Sequence, residues 1–213
     1  AAKNLISAVG FQCRYADTLP RVKAWLDSQQ IGTVVATRLG GLPMVWWWRQ
    51  REHSGGQIIE QTIHNYDILR YLLGEVTAVS GMAREGIITD VENYDTEDAS
   101  SVVMQFASGV IVTVITGCFS PGNAGHSSFD FYTREGKLNY GLGGNFTITQ
   151  GGMTMTGKPG NDYGQEVDDA FIDAILENDQ SLVLSPYDDA CKTLEMTIAA
   201  TESLGKGGEL IRL

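Results

Sequence analysis

Residues Ala99–Thr116, which read ASSVVMQFASGVIVTVIT, predict the architecture at the centre of the chain. β-Branched residues are frequent on both sides of Ser108-Gly109, and this dipeptide suits a tight turn. We therefore expect two antiparallel strands, Ala99–Phe106 and Val110–Thr116, joined as a hairpin.

Further strands are expected on both sides of this hairpin. A second hairpin is predicted at Glu135-Gly136, between strands Ser128–Arg134 and Lys137–Gly141. The remaining predicted strands are Leu5–Phe11, Thr33–Leu39, Val76–Ile88 and Phe146–Thr156. The last of them alternates apolar and polar residues, which is typical of a half-exposed strand.

Helices are predicted towards both ends of the chain. They are Pro20–Ser28, Gln57–Leu73, a stretch around Val167–Ile175, and a long helix from Ser185-Pro186 to Gly205. In the long helix Ser185 is the expected N-cap and Pro186 a first-turn residue. Because the strands follow one another in hairpins and do not alternate with helices, the predicted fold class is α+β with a mainly antiparallel sheet.

The composition argues against two classes of partner. The 213 residues include 15 Lys and Arg against 26 Asp and Glu, which gives a net charge of −11. So acidic a chain repels phosphates at long range, and we expect it to bind neither nucleic acid nor an anionic membrane. The sequence contains no apolar run of about 18 residues, so no membrane-spanning helix is predicted.

The spacing of cysteine and histidine does not favour disulfide or metal chemistry. Cys13, Cys118 and Cys191 lie far apart, which argues against a disulfide framework and against a CxxC metal site. No two of the three histidines have the spacing of zinc ligands, so no metal site is predicted. Reduced thiols favour a cytoplasmic protein.

The segment Ser54–Asp67, SGGQIIEQTIHNYD, contains the strongest candidate for chemistry. On a helical wheel Glu60, His64, Asp67 and Tyr71 fall within a wedge of roughly 60°, and apolar residues cover most of the remaining surface. Isolated buried charge is costly, so this stripe is expected to face a cavity, a partner domain or a ligand. Glu60, four residues before His64, is expected to orient the imidazole and raise its pKa. The pair suits general acid–base catalysis, and it also fits a histidine satisfied in a buried polar network.

No glycine-rich segment matches a dinucleotide site. Gly141–Gly144 is a poor match to GxGxxG, and Gly205–Gly208 follows a helix instead of preceding one. No cofactor-binding residue is therefore predicted in this chain, and any catalysis must use a cofactor bound elsewhere.

Two aromatic or basic segments allow two interpretations each. The tryptophans at 46–48 fit either the packing of a loop or interface, or the lining of a sugar pocket. Arg14, beside Tyr15, could form a surface ion pair or bind a hydroxyl or carboxylate of a ligand.

The glycine pair Gly55-Gly56 with the residues after it resembles a motif of the glucose–fructose oxidoreductase / inositol dehydrogenase / MocA family. The family pattern is a glycine pair, an acidic residue, a histidine four later and an aspartate three after that, matched by Glu60, His64 and Asp67. The segment Val9–Tyr15, VGFQCRY, is similar to the family's junction between domains, VGF-x-x-R-[YF]. The resemblance covers nearly the whole chain.

The resemblance implies the C-terminal domain of a two-domain oxidoreductase, with an open-faced antiparallel sheet and helices packed on one face. Family members also carry an N-terminal Rossmann domain with GxGxxG and a catalytic Lys in Glu-Lys-Pro, and neither motif occurs in this sequence. We expect residues 1–12 to be the end of that missing domain and residues 13–213 to be the substrate-binding and oligomerisation domain. The fragment alone is expected to bind NAD(P) negligibly and to be inactive.

The resemblance also implies an activity, the transfer of hydride between NAD or NADP and a carbon bearing a hydroxyl in a sugar, polyol or related compound. His64 would exchange the hydroxyl proton, and Glu60, where many dehydrogenases of the family have Asp, would orient it or relay the proton. The other candidates for the substrate cleft are Arg14, Tyr15, Trp48 and Asp67. Asp67 is also expected to brace the helix or His64.

Homodimers or homotetramers through the open sheet face are implied as well, with the hairpins between Ala99 and Thr156 supplying an apolar face. The alternative is a non-catalytic homologue of the same fold that senses a ligand or regulates a partner. The presence of both Glu60 and His64 favours the enzyme, because a sensor does not need a proton-transfer pair.

Overall fold

A single sheet organises the computed structural model, which describes residues 5–121 and 124–213. The helices are α1 (Leu19–Asp27), α2 (Arg51–Ser54), α3 (Gln57–Glu60), α4 (Ile63–Leu73), α5 (Tyr163–Glu177) and α6 (Tyr187–Gly205). The strands are β1 (Ile31–Leu39), β2 (Val76–Arg84), β3 (Ala99–Phe106), β4 (Ile111–Gly117), β5 (His126–Thr133), β6 (Gly136–Gly141), β7 (Phe146–Gln150), β8 (Met153–Gly157) and β9 (Ile211–Arg212). Short 3-10 helices lie at Gln12–Tyr15 and Gln180–Leu182.

The nine strands of the described residues follow the order β8-β7-β6-β5-β1-β4-β3-β2-β9. Strand β1 lies in the middle, where Val34 is opposite Val112 of β4 and Phe131 of β5. The β1–β4 pair is parallel, and the other pairs are antiparallel. The predicted α+β class with a mainly antiparallel sheet is therefore confirmed.

One face of the sheet is covered and the other is open. Along β3, Val102 and Met104 are fully buried whereas Ser101 and Val103 are exposed, because successive side chains of a strand point to opposite faces. The core contains the inward side chains of the central strands together with residues of α1, α4 and α6. The expectation of helices packed on one face is confirmed.

The two predicted hairpins are present, and a third was missed. In the first, Gly109 has a φ of +87°, which the tight turn requires. Phe146–Thr156, predicted as one strand, is instead the hairpin β7–β8. It turns at Gly151 and Gly152, whose φ values of +58° and +78° suit a two-residue turn.

The N-terminal segment Leu5–Phe11 is not the predicted strand. It follows an irregular path with Leu5 74% exposed, and Val9 donates its backbone N–H to the carbonyl of Ser185 at 2.9 Å. The Ser185 hydroxyl donates back to the Val9 carbonyl at 2.6 Å. Because that hydroxyl is used there, Ser185 is not the predicted N-cap, and Pro186 occupies the cap position of α6.

Candidate active site

Two glycines with unusual backbone angles lie directly before α3, at the start of the segment that carries the candidate site. Gly55 and Gly56 have φ values of +76° and +98°, in the region that side chains disfavour. A Cβ at Gly56 would lie 3.0 Å from Oε2 of Glu97 and 3.1 Å from Nη1 of Arg51. The buried Glu97 carboxylate also accepts from the backbone N–H of Ile58 at 3.3 Å, so it anchors the start of α3.

The predicted helix Gln57–Leu73 is broken into α3 and α4. At the break, the N–H of Thr62 donates to the carbonyl of Gln57 at 2.9 Å, five residues back instead of four. Such π-type turns occur frequently at functional sites. Glu60 consequently ends one helix, and His64 lies in the first turn of the next.

His64 is a partly buried imidazole with a buried nitrogen that lacks a partner. Its ring packs edge-on against Phe11, with the two ring centres 6.0 Å apart. Within the described residues, Nδ1 has no hydrogen-bond partner. Burial lowers the pKa of His64, Asp67 acts to raise it, and Arg38 lowers it further. The expected rise is therefore wrong, and the lowered pKa favours the neutral imidazole, which can accept a proton at neutral pH.

Glu60 is partly buried at the end of α3. Its carboxylate takes part in no ion pair or hydrogen bond described for residues 5–121 and 124–213, including none with His64. The expectation that Glu60 orients or relays stays a prediction.

Asp67 lies at the centre of a set of paired charged and polar groups, which we call the Asp67 network: Arg14, Asp67, Arg70, Asp189 and Thr193. Arg14 donates from Nε and Nη2 to the two Asp67 oxygens at 2.8 and 2.6 Å, and Thr193 donates to Oδ1 at 3.1 Å. Arg14 also donates to Asp189 at 2.7 Å, as does Arg70. These contacts tie α4 to α6, so the expected brace by Asp67 is confirmed. Substrate binding by Arg14 or Asp67 stays a prediction.

Tyr15 and Trp48 also have structural contacts. The Tyr15 hydroxyl accepts from the backbone N–H of Leu184 at 2.9 Å. Trp48 is only 2% exposed, which fits the packing interpretation of the tryptophan cluster, whereas Trp46 is 62% exposed and packs edge-on against His53. The role of Tyr15 and Trp48 in a substrate cleft stays a prediction.

Several partly or fully buried polar residues of β1 and of the segment 57–65 were not singled out from the sequence. We call Arg38, Gln57, Thr62, His64 and Asn65 the His64 cluster. Each has a buried side-chain atom without a hydrogen-bond partner among the described residues: Nε of Arg38, Nε2 of Gln57, Oγ1 of Thr62, Nδ1 of His64 and Oδ1 of Asn65. One signal in the sequence was available. Val34, Ala36 and Arg38 are two residues apart along a strand, so they share one face. Val34 and Ala36 are buried on the inward face, which puts a charged residue there.

Neither of the two glycine-rich segments offers a cradle for a dinucleotide. Gly141–Gly144 joins the antiparallel strands β6 and β7, so no helix N-terminus faces it. Gly205–Gly208 follows the C-terminus of α6, the negative end of the helix dipole, which disfavours phosphate. These segments therefore do not fit NAD(P).

Residues 5–121 and 124–213 contain no group of three His, Cys, Asp or Glu side chains arranged to hold a metal ion. In the same ranges no helix has the length and apolarity needed to cross a membrane. Cys13, Cys118 and Cys191 are free thiols.

The fold is shared with solved oxidoreductase structures. It superposes on levoglucosan dehydrogenase in complex with NADH and levoglucosan with a TM-score of 0.81, at 19% identity, covering 100% of this chain and 68% of that one. It superposes on the aldose-aldose oxidoreductase of Caulobacter crescentus with a TM-score of 0.78, at 18% identity, covering 97% of this chain and 64% of that one. At these identities the likeness concerns the fold alone.

Two curated relatives and one family model match the sequence. The chain is 29% identical to the scyllo-inositol 2-dehydrogenase (NAD(+)) of Bacillus subtilis (strain 168) over 96% of its length, and spans 62% of that relative. It is 34% identical to the inositol 2-dehydrogenase of Rhizobium meliloti (strain 1021) over 47% of its length, and spans 31% of that relative. The model of the GFO/IDH/MocA C-terminal domain matches residues 20–139, more than half of the chain. The chain therefore belongs to the GFO/IDH/MocA family.

Proposed function

We propose that the complete protein is an NAD(P)-dependent oxidoreductase that acts on a CH–OH group of a sugar, polyol or related compound. His64 is the group that takes or returns the hydroxyl proton. The observation that carries this proposal is a partly buried imidazole whose Nδ1 has no partner among the described residues and whose pKa is lowered by burial, placed in the family's glycine–acid–histidine–aspartate motif. The inositol dehydrogenases that match the sequence support a polyol or sugar as the substrate class.

The environment of His64 suits a base. Its lowered pKa keeps the imidazole neutral and able to accept a proton when the alcohol is oxidised. Arg38 would then oppose a long-lived imidazolium, because like charges in a poorly solvated site repel. The negative charge of Asp67 acts in the opposite direction and favours the imidazolium. The ion pair with Arg14 fixes the position of Asp67.

The cofactor is assigned to a part of the protein outside this chain. NAD or NADP accepts or donates the hydride in this class of reaction. Because the glycine-rich segments do not fit its phosphates, we infer that a preceding domain binds it and that residues 1–12 are the end of that domain. The chain spanning residues 13–213 then supplies the proton-transfer group and the substrate contacts, and is inactive alone.

Association and location are also proposals. We infer that the open sheet face forms homodimers or homotetramers. This face is mixed and not uniformly apolar, since exposed Val103 and Ile111 alternate with Ser101 and Gln105. A polar face of this kind suits an interface built from hydrogen bonds as well as apolar contacts. The free thiols fit a cytoplasmic protein.

The test is a dehydrogenase assay of the full-length protein on a panel of sugars and polyols, followed by the His64→Ala variant. We expect His64→Ala to lower kcat about 10²- to 10⁴-fold, the usual contribution of a positioned proton-transfer group. The free energy of unfolding should change by no more than about 1 kcal/mol, because Nδ1 makes no hydrogen bond that would be lost.

The matched control is His53→Ala, which removes an exposed imidazole that packs on Trp46. Its kcat should stay within about twofold of the wild type, since surface substitutions are usually near neutral. Unchanged turnover in His64→Ala would remove the proposed proton-transfer role. Cofactor binding without turnover on the whole panel would instead favour the sensing homologue.

A further inference from the structure

Arg38 differs from Arg14, Arg51 and Arg70, which the fold pairs with carboxylates. Arg14 and Arg70 each pair with two carboxylates, and Arg51 pairs with the buried Glu97 at 3.0 Å. Arg38 forms no ion pair with any carboxylate of residues 5–121 and 124–213, and its Nε is buried without a hydrogen-bond partner. This guanidinium therefore lacks the counter-charge that the fold provides for those three. Arg49 also forms no ion pair among the described residues, but its Nη2 donates to the backbone carbonyl of Met44 at 3.0 Å.

The position of Arg38 places its charge on the side of the sheet that carries the candidate site. Arg38 lies near the carboxyl end of β1, on the same face of the strand as the inward Val34 and Ala36. Thr116 of β4 and Ser127 of β5 are its partners in register, and neither carries charge. Burial lowers the pKa of the Arg38 guanidinium, which is the cost of an uncompensated cation.

The residues in register with Arg38 contact the start of α3 and the first turn of α4. Thr116 donates to Oε1 of Gln57 at 3.4 Å, which leaves Nε2 of Gln57 unpaired. Asn65, next to His64, donates to Ser127 at 3.4 Å, which leaves its own Oδ1 unpaired. Unpaired polar atoms thus lie on β1 and α4, the elements that carry Arg38 and His64, and at the start of α3. Because buried polar groups are rarely left without partners, this arrangement points to a polar ligand.

We propose that Arg38 binds a carboxylate of the substrate, so that the substrate class is an acidic sugar or polyol, such as an aldonate or a uronate. This inference rests on the proposed function, because it takes His64 as the group beside the reacting hydroxyl. A guanidinium presents a rigid fork of donors that matches a carboxylate, and one carboxylate neutralises it. A neutral polyol would satisfy donors but would leave the cation uncompensated.

The net charge of −11 does not prevent this binding. Charges separated by more than about 10 Å are largely screened at 0.1 M salt, whereas a contact pair in a poorly solvated site is not. The same chemistry, an oxyanion, could also be a cofactor phosphate, and the experiment separates these two sources.

The experiment compares D-glucuronate and D-gluconate with D-glucose and D-glucitol on the full-length protein, by calorimetric binding in the presence of NAD⁺ and by steady-state kinetics. The wild type should bind at least one acid more tightly than its neutral partner. Arg38→Gln should lower the ratio of acid to neutral affinity about 10- to 100-fold, the usual worth of hydrogen bonds to a charged group. The loss should appear mainly in KM. Arg38→Lys, which keeps the charge, should retain part of the preference.

The control is Arg134→Gln, which removes an exposed charge beyond the end of β5 and should leave the ratio unchanged. Equal losses for acid and neutral probes, or no binding of either acid, would overturn the inference. A tenfold weaker NADH affinity in Arg38→Gln with an unchanged ratio would also overturn it and assign the oxyanion to the cofactor. Thermal unfolding shows whether the Arg38→Gln variant folds. If this variant does not fold, the ratio of acid to neutral affinity in Arg38→Lys tests the inference.

The experiments can reject the proposed function and this inference independently of each other. Loss of turnover in His64→Ala with a neutral probe as the preferred substrate would keep the function and remove the acidic substrate class. Arg38-dependent binding of an acid with no turnover of any probe would keep the carboxylate site and remove the dehydrogenase.

Discussion

Helix α4 carries residues of two polar regions that differ in how completely their groups are paired. In the Asp67 network, the Asp67 carboxylate accepts three hydrogen bonds from Arg14 and Thr193 and is 1% exposed. In the His64 cluster, each member has a buried polar atom without a partner among the described residues. Buried groups that are satisfied hold elements together, whereas unsatisfied ones cost stability and persist where a ligand completes them. We therefore expect the Asp67 network to contribute mainly to stability and the His64 cluster mainly to binding.

The largest expected effect comes from breaking the Asp67 network. Asp67→Ala should lower the free energy of unfolding by about 3–5 kcal/mol, because it leaves the Arg14 guanidinium buried without its main partner. Chemical denaturation of both proteins measures the difference.

The control for this change is Glu75→Gln, since Glu75 pairs with Arg70 but its side chain is 53% exposed. Exposed pairs contribute about 1 kcal/mol or less. Similar losses in the two variants would show that burial does not distinguish the Asp67 pair.

The next effect concerns the glycine pair before α3. Gly56→Ala should cost about 1–3 kcal/mol, because a Cβ adds an unfavourable φ and approaches Glu97 and Arg51 closely. Gly74→Ala is the matched control, since Gly74 has a similar φ of +89° with nothing within 4 Å of its Cβ position. Equal losses in thermal unfolding would mean that Glu97 yields to the added methyl group.

Gln57 offers a smaller test that sharpens the comparison. Gln57→Met replaces a fully buried amide, whose Nε2 has no partner, with an apolar side chain of similar shape. Its unfolding free energy should stay within about 1 kcal/mol of the wild type or rise, while affinity for the substrate falls. A loss above about 2 kcal/mol would show that Gln57 is satisfied in the free protein.

The smallest expected effect is the pH dependence contributed by His64. Because its pKa is lowered in the folded state, the unfolded chain binds the proton first as the pH falls below about 6.5. The contribution of His64 to stability is complete above that pH and is lost as the pH falls towards the folded pKa. Denaturation curves between pH 5 and 8 should show a shallower acid-side loss for His64→Gln than for the wild type. A steeper loss would reverse the sign of the shift.

The parts of the fold that depend on local signals could be predicted. The turns at Ser108-Gly109 and Glu135-Gly136 are fixed by neighbouring residues, and so is the spacing of His64 and Asp67 along α4. Gly151-Gly152 carried the same signal and was overlooked within an alternating pattern. The break before α4 was not predictable from the apolar pattern, which continues through it.

The contacts that define the candidate site could not be predicted in the same way. Asp67 receives Arg14 from 53 residues away and Thr193 from 126 residues away, so their pairing depends on the complete fold. Arg38 has uncharged residues on both sides because of which strands flank β1 and which of their residues lie opposite it. A pattern within one segment contains neither kind of information.

The central position of β1 has a consequence for how the protein folds. Strands β2, β3 and β4 form one antiparallel group and β5 to β8 another, each from neighbouring segments, whereas β1 pairs only with distant ones. Closing large loops is slow, so we expect the two groups to form first and β1 to dock late. Pulse-labelled hydrogen exchange should then protect the amides of β3 and β6 before those of β1. Because β1 carries Arg38, the binding residues would be assembled in the last step, and a folding intermediate would not bind the substrate prematurely.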